Sequence, residues 1–251
     1  MDSTEQMPLD DKKDLAGIHD TAVRHGFVRK VYGILSFQLA GTTGIAALIM
    51  TYGMQWKKTN PALMPLLMAC SVAVTIAMMC VFTCCPDTMR RSPTNFILLG
   101  LFTVAEAVMV GVICVQYTVQ SVIVTLVVTA VVVFALSLFA CQTKYDITGL
   151  LPYFIVASLV LCGFGFALSI AAWCGAAATG AFKTMNLVYA AGGALLFSGY
   201  IVLDTQLIVG GKHQRFRFCI DDYCMAAITI YIDIVQLFLF LLQMLGERER
   251  R

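Results

Sequence analysis

The chain has 251 residues, of which 59% are hydrophobic and only 13% charged, whereas a soluble domain carries roughly 25% charged residues. A formal net charge of +2 gives no electrostatic case for nucleic acid as a partner. The composition excludes a soluble domain with a large core and indicates a polytopic protein whose main partner is the lipid bilayer.

Residues 1–26 are expected to be a mobile, polar cytosolic tail. They contain no apolar run ahead of a small-residue cleavage site, so no cleaved secretory signal is expected and the first membrane helix takes the targeting role. No lipidation motif is evident. Seven apolar runs follow, at about 31–52, 63–84, 95–115, 118–140, 150–173, 187–209 and 224–245, each close to the ~20 residues a bilayer requires. Pro61 and Pro65 open the second run, Pro93 the third and Pro152 the fifth, while Gly210-Gly211 and Gly246 close the sixth and seventh. Proline is tolerated at a helix start and glycine terminates one. The expectation is an all-α membrane protein with a seven-helix domain over 27–246, a charged C-terminal tail over 247–251 and no extramembrane domain.

Basic residues set the orientation. Lys12, Lys13, Arg24, Arg29, Lys30, Arg90, Arg91, Lys144, Lys212, Arg215 and Arg217 are eleven of the 17 Lys and Arg, and all fall on the side of the N-terminal tail. That side is read as cytosolic, an arrangement opposite to that of seven-helix receptors coupled to G proteins. Seven crossings then put the C-terminus on the far side. The basic ERERR ending pulls the other way, and a re-entrant last helix would return it to the cytosol.

The ten cysteines lack a CxxC with matching histidines, so no zinc site is expected. Cys70, Cys80, Cys114, Cys141, Cys162 and Cys224 lie in or beside apolar spans and read as buried small hydrophobes. Cys84 and Cys85, at a helix end, are candidates for palmitoylation.

Two carboxylates interrupt the last two spans: Asp204 in FSGYIVLDTQLIVGG and Asp233 in AAITIYIDIVQLFLFLLQML. An ionised aspartate at the centre of a membrane helix costs about 3 kcal/mol on insertion scales. Asp204 lies roughly 9 Å inside the cytosolic end of its helix by helical rise, and Asp233 is somewhat deeper. Sequential antiparallel helices are neighbours, so the two acids are expected to meet in the cytosolic half. Thr229, Asp233, Gln236, Phe240 and Gln243 recur at helical spacing, which puts Thr229, Asp233, Gln236 and Gln243 on one inward face. The alternative is a hydrogen-bonded seam between helices with no conduction. Two carboxylates in a low-dielectric site do not both ionise cheaply and titrate as a coupled unit. Their oxygens also suit calcium, so Asp204 and Asp233 are a candidate pH sensor, a transient calcium contact, or both.

Glu106, in LFTVAEAVMVG with Thr103 one turn away, is a candidate for extending a polar path towards the far side; a locally paired, protonated Glu is the alternative. Arg91, in MRRSPTNF, is either a positive-inside anchor or a group that reaches the bundle mouth. Lys212-His213 reads as a solvated loop. An intramembrane aspartyl protease needs Gly-x-Gly-Asp followed by a later Pro-Ala-Leu; no Gly-x-Gly-Asp occurs, and the Pro-Ala-Leu at 61–63 precedes both aspartates instead of following them. No Ser-His-Asp set, HExxH, P-loop or dinucleotide fingerprint appears, and no enzyme activity or cofactor is expected.

The segments ACQTKYDITG (140–149), SGYIVLDTQLIVGGKH (198–213) and DDYCMAAITIYIDIVQLFLFLLQMLG (221–246) resemble the transmembrane Bax inhibitor motif family. QTKYDITG and the Gly-Gly-Lys-His ending resemble its lifeguard branch, as do RRSPTNFILLGLFTVAEA and FVRKVYGILSFQL. The resemblance covers residues 27–246. It implies a seven-helix bundle with the last helix surrounded by the other six. It also implies a pH-sensitive calcium leak in internal membranes, endoplasmic reticulum or Golgi, with suppression of cell death. The family's aspartate dyad matches Asp204 and Asp233, and its arginine latch matches Arg91, with Arg90 adjacent. Calcium is then the transported ion, and membrane proteins that regulate cell death are the protein partners. The alternatives are a non-conducting interaction protein with structural acids, and a proton-coupled transporter.

Overall fold

Seven long helices occupy the apolar runs: α1 (Thr21–Thr59), α2 (Leu63–Cys84), α3 (Thr94–Cys114), α4 (Val119–Gln142), α5 (Leu151–Trp173), α6 (Gly180–Val209) and α7 (Tyr223–Leu245). The computed structural model describes residues 21–90, 92–143, 145–209 and 222–249. All seven are long and apolar enough to cross a membrane. Two differ from the expected bounds: α1 extends beyond 31–52 at both ends, and α6 starts at Gly180 rather than near 187. The added turns carry Arg24, Arg29, Lys30, Lys57, Lys58 and Lys183. Charged side chains at helix ends reach headgroups and water while the backbone stays helical, so hydropathy marks the lipid and not the end of the helix.

Local chemistry explains the breaks. Thr118 caps α4, its hydroxyl accepting from the Ser121 amide at 3.3 Å and satisfying one of the open N–H groups of the first turn. Pro152 sits in the first turn of α5, where its missing N–H costs nothing. Just after α5, Gly175 has φ +88°, a left-handed conformation that glycine adopts without steric cost.

α7 is the most buried of the seven, and α2 and α5 are the least. It packs against α1, α3, α4 and α6, while α2 lies mainly on α3, and α5 on α6. The expectation of a last helix surrounded by six is thus sharpened to a central helix with four principal neighbours and two outer helices. Small residues allow the close approach: a Cβ at Gly193 on α6 would lie 2.5 Å from the Phe240 ring on α7, and one at Gly111 on α3 would lie 2.9 Å from Ile49 on α1. Lipid tails are as apolar as leucine, so van der Waals contact of this kind, more than apolar burial, holds such helices together.

Both ends of α7 are tied down. At one end, Arg90 Nε donates to Asp222 Oδ1 at 2.7 Å, joining the α2–α3 turn to the start of α7. At the other, residues 116–118 and 247–249 pair as a short antiparallel bridge, with Thr118 N donating to Glu247 O and Glu249 N to Gln116 O, both at 3.0 Å. Its 23 residues span about 34 Å by helical rise, long enough for a full crossing. The C-terminal segment shares a face with the α3–α4 turn, opposite the α2–α3 turn.

The cysteine expectation is corrected in part. Cys114 and Cys224 are buried, but Cys70, Cys80, Cys141 and Cys162 are exposed on the outer side of the bundle. A thiol needs no interior position when lipid surrounds it, because hydrocarbon solvates it as well as a core does.

Candidate functional site

The last turns of α6 are buried all round: every residue from Ile201 to Ile208 is inside the bundle. A helix enclosed on all sides has no wet face for a carboxylate, yet Asp204 sits here at 7% exposure and Asp233 faces it at 6%. The two carboxyl groups are close enough to interact directly, and Asp204 also meets the Thr229 side chain, one turn before Asp233 on α7. Two carboxyl groups in contact in a buried seam do not both ionise cheaply, so the pair is suited to sharing one proton. Asp233 Oδ2 is buried without a hydrogen-bond partner, an acceptor in position for a cation, a water or a second proton. The Thr229 hydroxyl also lies 3.1 Å from the Ala226 carbonyl, to which it donates. Its single proton serves one acceptor at a time, so a bond from Thr229 to Asp204 would be made at the expense of the Ala226 carbonyl.

The polar stripe on α7 faces α6 along its whole length. Phe240 stacks on Phe197 at 5.7 Å and meets Tyr189 edge-on at 5.3 Å, both from α6. Near the far end, Gln243 Nε2 donates to Asn186 Oδ1 at 2.9 Å. Gln236 is half-buried between them, on the same face by periodicity. The stripe is therefore a seam between two helices, with the acid pair towards one end and an amide pair towards the other.

Glu106 lies elsewhere. It is 4% exposed and accepts from Thr75 Oγ1 on α2 at 3.0 Å. One turn before it on α3, Phe102 meets the Tyr231 ring of α7 edge-on at 6.1 Å. Tyr231 precedes Asp233 by two residues, which rotates it roughly 160° around the helix. Glu106 is thus on the flank of α7 facing α1 and α3, paired locally with Thr75, while the aspartate pair lies on the α6 flank. The helical period separates the two polar layers.

The mouth of the bundle holds groups that sequence reasoning missed. Lys30 Nζ sits 3.2 Å above the centre of the Tyr223 ring, a cation–π contact, and Asn95 Nδ2 donates to the Tyr223 hydroxyl at 2.9 Å. The signal was a tyrosine beside two acids in DDYCM, which reads as an ordinary interfacial aromatic. Arg91, Gly210-Gly211 and Lys212-His213 lie outside the described residues. Two carboxylates make only part of a calcium shell. Among the described residues no group of three or more His, Cys, Asp or Glu side chains assembles, so an ion at the pair would complete its shell with hydroxyls, carbonyls or water.

A family model described as "Inhibitor of apoptosis-promoting Bax1" matches residues 24–250. Protein lifeguard 3 of Homo sapiens is 36% identical over 235 residues, covering 91% of this chain and 71% of the relative. The Mus musculus protein of that name is 35% identical over 236 residues, covering 92% of this chain and 72% of the relative. Protein LIFEGUARD 3 of Arabidopsis thaliana is 31% identical over 236 residues, covering 91% and 87%.

Proposed function

The chain belongs to the Bax1-I family of membrane proteins, and from that premise we propose that it restrains cell death as a pH-sensitive calcium leak of internal membranes, gated at Asp204 and Asp233. Its N-terminus faces the cytosol in this reading. The observation that carries it is the carboxyl pair, buried where α6 meets the central helix and retaining an unpartnered acceptor at Asp233 Oδ2.

The chemistry follows from charge. With both carboxyls ionised, the pair carries two negative charges in a low-dielectric seam and demands a cation. Arg91 supplies it in the closed state; that role rests on the family resemblance. Adding a proton leaves one charge, weakens the arginine's hold and frees the seam for calcium. Calcium is cargo here, contacting carboxylate oxygens in passing. The sign is then set: the leak rises as pH falls through the titration of the pair.

The test uses the purified full-length protein in liposomes that report calcium entry across a pH series. The wild type should pass calcium in a pH-dependent way, and Asp204→Asn with Asp233→Asn should remove that dependence. Unchanged flux and unchanged pH dependence in the double variant would sink the proposal. Arg91→Ala should raise the leak, and an unchanged or lower leak would remove the latch.

A second reading has its own support. Gln243 and Asn186 continue the same seam with a neutral hydrogen bond, as a purely structural contact between helices would. The protein would then act as a non-conducting interaction protein, working through membrane partners that regulate cell death. Full protection of cells by the double asparagine variant, with no flux in liposomes, selects this reading.

A further inference from the structure

The flank of α7 opposite the aspartate pair carries a second polar layer, and its hydrogen bonds do not balance. Thr103 Oγ1 donates to the Leu99 carbonyl at 2.8 Å, so it has only acceptor capacity left for Gln38. The Gln38 group facing it at 3.0 Å is therefore the amide nitrogen, which fixes the orientation of that amide. Its oxygen, Gln38 Oε1, is buried with no hydrogen-bond partner, in a residue 1% exposed. The Thr42 hydroxyl donates to the Gln38 backbone carbonyl at 2.8 Å, which obliges Tyr231 to donate its own proton to Thr42, also at 2.8 Å. Thr75 gives its proton to Glu106.

The hydroxyl donors of the layer are thus committed, and what remains is mostly acceptor: the Gln38 amide oxygen, the free lone pairs of the Glu106 carboxyl and the Tyr231 oxygen. Glu106 lies one turn from Thr103 on the same face of α3, and Phe102, one turn before Glu106, meets the Tyr231 ring at 6.1 Å. Among the described residues of the surrounding helices no opposite charge is at hand. Neither α2 nor the stretch of α1 between Lys30 and Lys57 contains a charged residue; α3 has only Glu106, and α7 only Asp233. A buried carboxylate without a counter-charge is strongly disfavoured.

We propose that Glu106, the Gln38 amide oxygen and the oxygens of Thr75 and Tyr231 form a site for a small monovalent cation, sodium, on the α1–α2–α3–α7 side of the bundle. The donor set is all oxygen, as a hard cation requires. Charge decides the valence: one carboxylate neutralises one positive charge, whereas a divalent ion would leave a net charge buried in the bundle. The site is separate from the aspartate pair, because the body of α7 stands between Tyr231 and Asp233. A bound ion would cross-link α1, α2 and α3 to the central helix.

The test uses the full-length protein in detergent or nanodiscs with calcium chelated. Sodium is titrated against N-methyl-D-glucamine at constant ionic strength while thermal unfolding is followed, and the stoichiometry is read from equilibrium binding of radiolabelled sodium. Saturating sodium should raise the unfolding midpoint by about 5 °C or more, with one ion bound per chain. Glu106→Gln should abolish both effects, while Asp204→Asn with Asp233→Asn should keep them. If Glu106→Gln does not fold, Gln38→Leu serves instead and should weaken the apparent sodium affinity by about tenfold or more. The proposal is overturned if sodium neither shifts the wild type nor binds to it, which would leave a proton as the only occupant of Glu106. It is equally overturned if the effect survives both substitutions, or disappears in the aspartate double variant alone.

Discussion

At the residue scale, α7 shows how two side chains only two positions apart come to serve different chemistry. Asp233 looks into the α6 seam and Tyr231 looks at Thr42 and Phe102. With sodium absent, so that no ion is held at its oxygen, removing the Tyr231 hydroxyl is a local loss. Tyr231→Phe should cost about 1 kcal/mol, the worth of one buried hydrogen bond, because Thr42 keeps its bond to the Gln38 carbonyl. Thermal unfolding measures that cost, and liposome flux should show an unaltered pH profile. A changed profile would mean that the two flanks of α7 are coupled. Asp233, Thr229 and Gln243 were legible in the sequence because polar residues at helical spacing stand out in an apolar helix. Tyr231 was not legible, since a tyrosine among leucines and isoleucines reads as bulk until its hydroxyl is seen to have a partner.

At the scale of elements, the α6–α7 seam depends on Gly193. A Cβ there would lie 2.5 Å from the ring of Phe240, and that ring is itself held between Phe197 and Tyr189. Gly193→Ala should destabilise the protein by about 1–3 kcal/mol through overpacking. In the Phe240→Ala background the same substitution should cost much less, because the clash is gone. A double-mutant cycle by thermal unfolding reads the difference, and additive effects would show that the seam adjusts elsewhere. The existence and number of the helices followed from apolar runs and proline punctuation alone. Their lengths did not, because Arg24, Lys57, Lys58 and Lys183 continue a helix that hydropathy ends early. Nor did the order of burial, in which α2 and α5 are as apolar as the others yet lie outermost.

At the scale of the whole molecule, the two tethers of α7 fix which turns share a face. Arg90–Asp222 holds one end at the α2–α3 turn, and the bridge between Tyr117 and Arg248 holds the other at the α3–α4 turn. In sealed vesicles, an impermeant maleimide should therefore label Gln116→Cys and Glu249→Cys from one side, and the native Cys84 and Cys85 from the other. Labelling of Glu249→Cys from the Cys84 side would contradict seven complete crossings. The sequence by itself determined the class of protein, the seven spans and the two costly acids, because each of these is a one-dimensional quantity: composition, run length, or a charge where lipid should be. It also identified the α7 stripe, whose period is local to one helix. Only the tertiary structure decided that this stripe meets α6, that Glu106 belongs to a separate layer and that the C-terminal segment closes on the α3–α4 turn. Those facts depend on how helices distant in sequence are rotated and packed against one another. That rotation is set by glycine contacts and buried hydrogen bonds between helices, which leave no periodic mark on any one of them.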